Sequence, residues 1–275
     1  MGVYLGNTKV GPTILKDDPA LKGLVDGSVT EINIPSGATK IRDYCFYYMS
    51  NLTTVNLPNS ITQIGKYAFF NCSGLINLPI LSNVTSIGDY AFYNCASLSG
   101  DFVAPENLKT IPQYCFYKCS NIKNITLHDK ITSVGNYAFQ DLNMVKTLEL
   151  PNGLKSVGQS SFQGLSSITE LVIPESCTGA GWSCFMNCTS LTKVEIKSTL
   201  SVPNAMFANN SNVMKYVFSG AYTAPPTMAH INAFQGINEN CKIYVPDALY
   251  DAWIVKTNWV TYASHIAKLS EMPAE

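Results

Sequence analysis

Charge is scarce in this chain. Its 18 basic and 19 acidic residues make up 13% of 275, about half the usual share of a soluble domain. The net charge is −1 and no run of Lys and Arg occurs, so nothing marks a phosphate-binding surface and nucleic acid is not expected as a partner. No apolar run approaches the roughly eighteen residues that would cross a bilayer, so no membrane insertion is expected. The opening MGVYLGNTKV lacks the charged start and apolar middle of a secretory signal. Gly6 stands where N-myristoylation would require Ser or Thr.

Histidine is scarcer still. His128, His230 and His265 lie far apart, with no HExxH and no partner at ligand spacing. GQSSF and GLSSI do not make a G-x-S-x-G elbow. Gly179-Ala180-Gly181 lacks the third glycine and the strand–helix setting of a dinucleotide loop. No catalytic, cofactor or metal constellation is present, and the chain is read as a non-enzyme.

What the chain does have is apolar residues, 46% of the total, placed with a period. Phenylalanine recurs at Phe46, Phe69, Phe92, Phe116, Phe139, Phe162, Phe185, Phe207 and Phe234, with gaps of 23, 23, 24, 23, 23, 23, 22 and 27. A second series runs in phase: Leu52, Leu75, Leu98, Ile122, Val145, Ile168, Leu191 and Val213. Self-similarity of this length is the mark of stacked repeats.

The unit LTTVNLPNSITQIGKYAFFNCSG, residues 52–74, is the cleanest. In it L-x-x-V-x-L-P predicts a short strand with Leu52, Val55 and Leu57 inward and Thr54 and Asn56 outward. Pro58 ends that strand, having no N–H for a ladder. Ile61 and Ile64 return to the core, Gly65 is expected to give backbone freedom at a bend, and Tyr67-Ala68-Phe69 is expected on a short helical turn. One coil cannot cover its own apolar face, so neighbours must stack on it and the ends need caps.

The fold expected is therefore a repeat solenoid. It is a curved right-handed leucine-rich-repeat stack of about nine coils of 22–24 residues. A parallel β-sheet lies on its concave side, short helical turns and loops lie on its convex side, and a helical cap closes the C-terminus. Residues 1–28 are expected as an N-terminal cap or extension, 29–240 as the repeats, and 241–275 as a strand–helix cap opened by CKIYV and Pro246-Asp247. Pro79, one residue early, is expected to shift its strand, and an extra residue around Asp101 to make a bulge.

The blocks ITQIGKYAFFNCSGL, VTSIGDYAFYNCASL and ITSVGNYAF resemble the BspA-like leucine-rich repeats of bacterial surface proteins. Their common pattern is I-x-x-I-G-x-x-A-F-x-x-C-x-x-L, with L-P closing the strand. The resemblance covers residues 29–235. It implies an adhesin or protein-binding protein at the cell surface or secreted, with no catalytic residues, and a host or matrix protein as partner. With no signal segment in the chain, cytoplasmic and virion-associated locations are the alternatives.

Seven of the nine cysteines follow the repeat. Cys72, Cys95, Cys119 and Cys188 lie three residues after the phenylalanine, and Cys45, Cys115 and Cys184 one before it. Such positions belong to the core, where a free thiol is a small hydrophobe. Stacked pairs such as Cys72 and Cys95 have disulfide-compatible spacing, but the odd count argues against a full framework. Neither Cys115 with Cys119 nor Cys184 with Cys188 has zinc-knuckle spacing.

Candidate binding residues fall into two sets. The outward strand positions are Glu31, Asn33, Thr54, Asn56, Asn124, Thr126, Thr147, Glu149, Glu170, Val172, Lys193, Glu195 and Lys215. These predict a face that is amide-rich early and acidic with lysines later. Aromatic stripes contain Tyr44, Tyr67, Tyr90, Tyr114 and Tyr137 on one line and Tyr47, Phe70, Tyr93 and Tyr117 on the next. Exposed Tyr47, Tyr93 and Tyr117 are the expectation of a carbohydrate-binding alternative. A structural or assembly component, of a phage particle for example, is the third reading. Protein recognition on the strand face is the leading one.

Overall fold

A computed structural model describes residues 3–5, 8–10 and 29–274, apart from 35, 78 and 80. The expected N-terminal cap falls largely outside the described residues. Only its antiparallel pair β1 (Val3–Leu5) and β2 (Thr8–Val10) is seen, joined Val3 to Val10.

The repeats form a parallel-strand solenoid of about ten turns, and the phenylalanines are its axis. Rings from Phe46 to Phe234 lie in one file, each 5.0–6.0 Å from the next. Phe69, Phe92, Phe116, Phe139, Phe162 and Phe185 have no exposed surface. Burying rings of this size is the main driving force for closing each coil on its neighbour.

Every coil has three sides. The first carries the L-x-x-V-x-L strands. β3 (Glu31–Asn33) pairs with β5 (Thr54–Asn56), and β8 (Gly100–Val103) with β10 (Ile122–Thr126). A five-stranded parallel sheet follows: β13 (Glu170–Ile173), β15 (Lys193–Ile196), β16 (Lys215–Phe218), β17 (Lys242–Val245) and β18 (Ile266–Lys268). Alternation puts Val55, Leu171 and Val194 inside and their neighbours outside. The early proline is felt: among the described residues the strand beside Pro79 shows a single bridge, Asn77 to Ser99. The extra residue also appears, as a register shift between Ile122 and Asn124, so it lies one coil later than the expected place around Asp101.

The second side is a ladder of two-residue strands from the I-G segment. It runs β4 (Lys40–Ile41), β6 (Gln63–Ile64) and β7 (Ser86–Ile87), then β9 (Thr110–Ile111), β11 (Ser133–Val134), β12 (Ser156–Val157) and β14 (Gly179–Ala180). Gly65 follows β6, and its role differs from the expected one. A Cβ there would sit 2.4 Å from the Asp43 nitrogen and 2.5 Å from the Arg42 carbonyl carbon. Glycine is needed for close approach of two coils, not for an unusual φ.

The third side corrects the expected helical turn. Tyr67 and Asn71 are left-handed, with φ of 55° and 56°, and the same holds for Tyr44 and Tyr48, Tyr90 and Asn94, and Ser183 and Asn187. An L-residue pays a steric penalty in that region, so the coil must over-determine it. The compensation is visible in the hydrogen bonds. Within the turn Tyr47 N donates to Tyr44 O and Met49 N to Phe46 O, while the intervening N–H groups leave the coil. Tyr44, Phe46 and Tyr48 donate to the carbonyls of Lys66, Ala68 and Phe70, and Tyr67, Phe69 and Asn71 to those of Asp89, Ala91 and Tyr93. The peptides thus line up in three axial files whose N–H groups point toward the C-terminus, aligned head to tail like the peptides of a helix but with the opposite polarity.

At the C-terminal end, β17 and β18 prolong the first sheet, so the closing segment is more strand-rich than the expected helical cap. The short helix α1 (Tyr250–Ile254) and a 3-10 turn over Trp259–His265 bring Trp253 and Trp259 edge-on to Phe218. The Trp259 indole donates to Pro226 O at 2.8 Å. Both indoles are fully buried and seal the end of the file.

Candidate binding face

The parallel register brings the outward strand residues onto one face. Glu31 stands beside Thr54 and Asn33 beside Asn56; Glu170, Lys193, Lys215 and Lys242 form one row, and Val172, Glu195, Val217 and Tyr244 the next. Asn124 and Thr126 project from β10, while Thr147 and Glu149 flank Leu148, whose bridge to Ile125 is the coil's one link to the ladder. Lys193, Glu195, Lys215 and Thr54 are half-buried and the other candidates are exposed.

Several of these side chains are already engaged with one another. Asn56 donates to Glu31 at 3.1 Å and to Asn33 at 2.8 Å, and Asn124 donates to Asp101 at 2.7 Å. Ser219 donates to Glu195 at 2.8 Å, with Lys197 4.0 Å from the same carboxylate. At the far end Val217, Tyr244 and Ala267 are covered by Leu269 and Met272, which removes those outward positions from solvent. The face is therefore self-satisfied at its two ends and open in its middle.

The middle holds a cleft of about 570 Å³. One wall is Lys146 to Leu150 with Asn152, and the other is Thr169, Glu170, Val172, Pro174 and Glu175, with Lys197 beyond. It exists because the first ladder is interrupted. Coil after coil, an N–H at the strand entrance donates to its equivalent one turn back, as Thr53 to Thr30, Ile76 to Thr53 and Thr192 to Thr169. The corresponding bonds from Lys146 to Lys123 and from Thr169 to Lys146 are both missing; the first gap keeps the Ile125–Leu148 bridge, whereas among the described residues neither a bridge nor a backbone hydrogen bond joins 146–150 to 169–173. The other two sides stay closed there: Ser156 pairs with Gly179, and Ser160, Phe162 and Gly164 donate to Trp182, Cys184 and Met186. The two coils are thus hinged on two sides and parted on the third.

Thr147, Glu149, Glu170 and Val172 were legible as candidates, but the gap between their strands was not. VKTLELP and ITELVIP fit the repeat equally well, and no letter in either marks a gap. Trp182 was also missed as a surface residue. It is 60% exposed, and its signal was the loss of the usual I-G, with Ala180-Gly181 in its place.

The aromatic stripes are rolls of stacked rings. Tyr44, Tyr67, Tyr90, Tyr114 and Tyr137 succeed one another at 4.5–4.8 Å with planes 8–13° apart. Tyr47, Phe70, Tyr93 and Tyr117 do so at 4.6–5.1 Å. Each ring covers its neighbour's face, leaving edges toward solvent, whereas a sugar platform needs open faces. Tyr47, Tyr93 and Tyr117 are half-buried in this roll, where the carbohydrate alternative expects them exposed. Burial in the roll, followed by the neighbouring Tyr137 and Tyr90, pushes the Tyr114 phenol up to about 12.

All nine cysteines are free, and eight are buried. Four of them tie one coil to another, because the thiols of Cys72, Cys95, Cys119 and Cys188 donate to the carbonyls of Phe46, Phe69, Phe92 and Phe162 one coil back. Asn210 occupies the same repeat position and donates to Phe185 O at 2.9 Å. Burial pushes the Cys72 and Cys188 thiols up to about 12, where they are poor nucleophiles. Among the described residues no group of His, Cys, Asp and Glu is arranged to hold a metal, and no helix is long and apolar enough to cross a membrane.

A repeat whose I-x-x-I-G-x-x-A-F-x-x-C letters build this three-sided coil corresponds to the BspA type leucine rich repeat region, which matches in six copies over residues 25–144 and 99–214. The chain belongs to that family. Solved structures similar to this BspA-type chain include a leucine rich cell surface protein from Faecalibacterium prausnitzii, 20% identical, covering 87% of this chain and 78% of that one with a TM-score of 0.44. A leucine-rich repeat protein from Bacteroides ovatus is 21% identical over 88% and 84%, with a TM-score of 0.46. The pneumococcal vaccine antigen PcpA is 16% identical over 87% and 77%, with a TM-score of 0.49. No curated protein matches the chain.

Proposed function

We propose that this chain is a non-enzymatic scaffold that recognises a protein partner across the first sheet face, at the bacterial surface or outside the cell. The observation that carries the reading is the interrupted ladder. A solenoid wall that is self-satisfied at both ends has an open cleft in its middle, rimmed by Glu149 and Glu170, and its volume falls in the range of about 300–1,000 Å³ typical of ligand sites. Membership of a leucine-rich-repeat family supports a scaffold. The open middle of a repeat stack is also where side chains vary without disturbing the core.

An array of matrix and cell-surface proteins and glycans, probed with the intact chain, tests this. Charge reversal at Glu149, Glu170 and Glu195 together is expected to reduce capture of a protein ligand by about tenfold or more. Capture that survives the triple reversal would remove this face as the binding surface.

A further inference from the structure

The cleft has a chemical character of its own. Its two walls are stretches of strand-forming sequence that face each other without pairing, so each presents backbone groups of the kind that parallel neighbours satisfy in the paired parts of the sheet. Unpaired strand edges are templates for another strand. The apolar lining is the inward Leu148 and Leu150 with the outward Val172 and the buried Pro174, and Glu149, Glu170 and Glu175 supply its carboxylates. Two lysines also line it, but Lys197 is drawn to Glu195 at 4.0 Å, which leaves the carboxylates in excess.

We propose that the cleft between residues 146–152 and 169–175 binds an extended segment of a partner protein as an added strand, with alternating apolar and basic side chains. Its backbone bonds the unpaired edges, its inward apolar side chains meet Leu148 and Leu150, and its outward Lys or Arg side chains meet Glu149 and Glu170. Main-chain pairing supplies affinity and alternate side chains supply selectivity, the division of labour seen wherever a sheet edge takes up a peptide. Two bonded sides fix the walls relative to each other without ligand, so little ordering is required on binding. This inference rests on the scaffold reading above and narrows it to one site and one ligand class.

The probe is a capped hexapeptide alternating Val and Arg, measured against the intact chain by hydrogen exchange and fluorescence anisotropy. Three comparison peptides replace Arg by Glu, methylate alternate backbone nitrogens, or scramble the alternation. The Val-Arg peptide is expected to slow exchange in segments covering 145–152 and 168–175. Binding should weaken by about tenfold on switching Arg to Glu, and by a similar factor on backbone methylation. The Glu149→Gln/Glu170→Gln double variant should weaken the Arg peptide likewise while its thermal unfolding stays unchanged.

Equal binding of the methylated peptide overturns strand addition, and equal binding of the Glu peptide overturns the charge assignment. Protection elsewhere on the chain, no binding at all, or protection that grows with protein concentration alone, as a second copy would give, overturns the site. The scaffold reading has a separate outcome. If array capture is lost on the triple charge reversal yet survives Glu149→Gln/Glu170→Gln, the face stands and the cleft falls.

Discussion

The two halves of the solenoid hold their coils together by different means. From Tyr44 to Tyr137 the third side carries an unbroken roll of tyrosines, while the first sheet comes in short pairs with single bridges between them. Beyond Tyr137 the same positions become Ser160, Ser183 and Ala205, still left-handed, and the first sheet runs through five strands without a break. The cleft lies at this changeover. What both halves share is the phenylalanine file and the axial peptide bonds, so these are the indispensable framework, and rings or sheet are interchangeable reinforcements laid over it.

The largest test of that division is Phe139→Ala, which opens the file at the junction, where Phe139 touches Phe116 at 5.7 Å and Phe162 at 5.6 Å. It is expected to cost about 3–5 kcal/mol and to split urea unfolding into two transitions, because repeat stacks couple only through neighbours. A single, unshifted transition would show that the file is not what joins the halves.

Close coil approach should matter equally in both halves. A Cβ on Gly135 would lie 2.5 Å from the Gln113 nitrogen, and one on Gly181 would lie 2.2 Å from the Gln159 nitrogen. Gly135→Ala and Gly181→Ala should each lose about 1–3 kcal/mol in chemical denaturation. A large difference between them would break the claim of a common framework.

The reinforcements should differ instead. Tyr90→Ala removes two stacked contacts, at 4.7 and 4.5 Å, worth about 0.5–1.5 kcal/mol each beyond buried area. Ser183→Ala, at the equivalent position, should change stability by no more than about 0.5 kcal/mol. Similar losses at the two sites would contradict the view that the roll stabilises only the first half.

The smallest effect is a pH dependence common to both halves. Burial holds Cys72 and Cys188 neutral up to about 12 against an ordinary 9.0. Their folded pKa is raised, so the stability they contribute is whole below about pH 9 and is lost as pH climbs toward 12. Denaturation midpoints should be flat from pH 7 to 8.5 and fall above it, less so in Cys72→Ala/Cys188→Ala. Native-state thiol labelling at pH 8 should reach Cys45, which is only half-buried, well before the others. Fast labelling of Cys95 or Cys119 would contradict the packing assigned to them.

The repeat period was legible because every coil must present the same apolar set to its neighbour: phenylalanines 23 residues apart can align only in a stack. The outward strand residues followed from two-residue alternation, and Glu149 and Glu170 were found that way. The turn was misread because Tyr-Ala-Phe has ordinary helix-compatible letters, and only bonds to the next coil hold tyrosine in a left-handed conformation. Gly65 was given the wrong reason on the same account. The stripes were seen as lines, but a line of letters does not say whether rings lie side by side or face to face.

Sequence by itself determined the stack, its period, its core file and the face on which strand side chains emerge, because burial and alternation are properties of neighbouring residues in one coil. Tertiary structure alone decided where the ladder parts, which carboxylates remain unengaged, and that thiols answer carbonyls one turn away. Those outcomes depend on how two coils that are equivalent in sequence settle against each other. That contact spans some 23 residues of chain, and no local pattern records it.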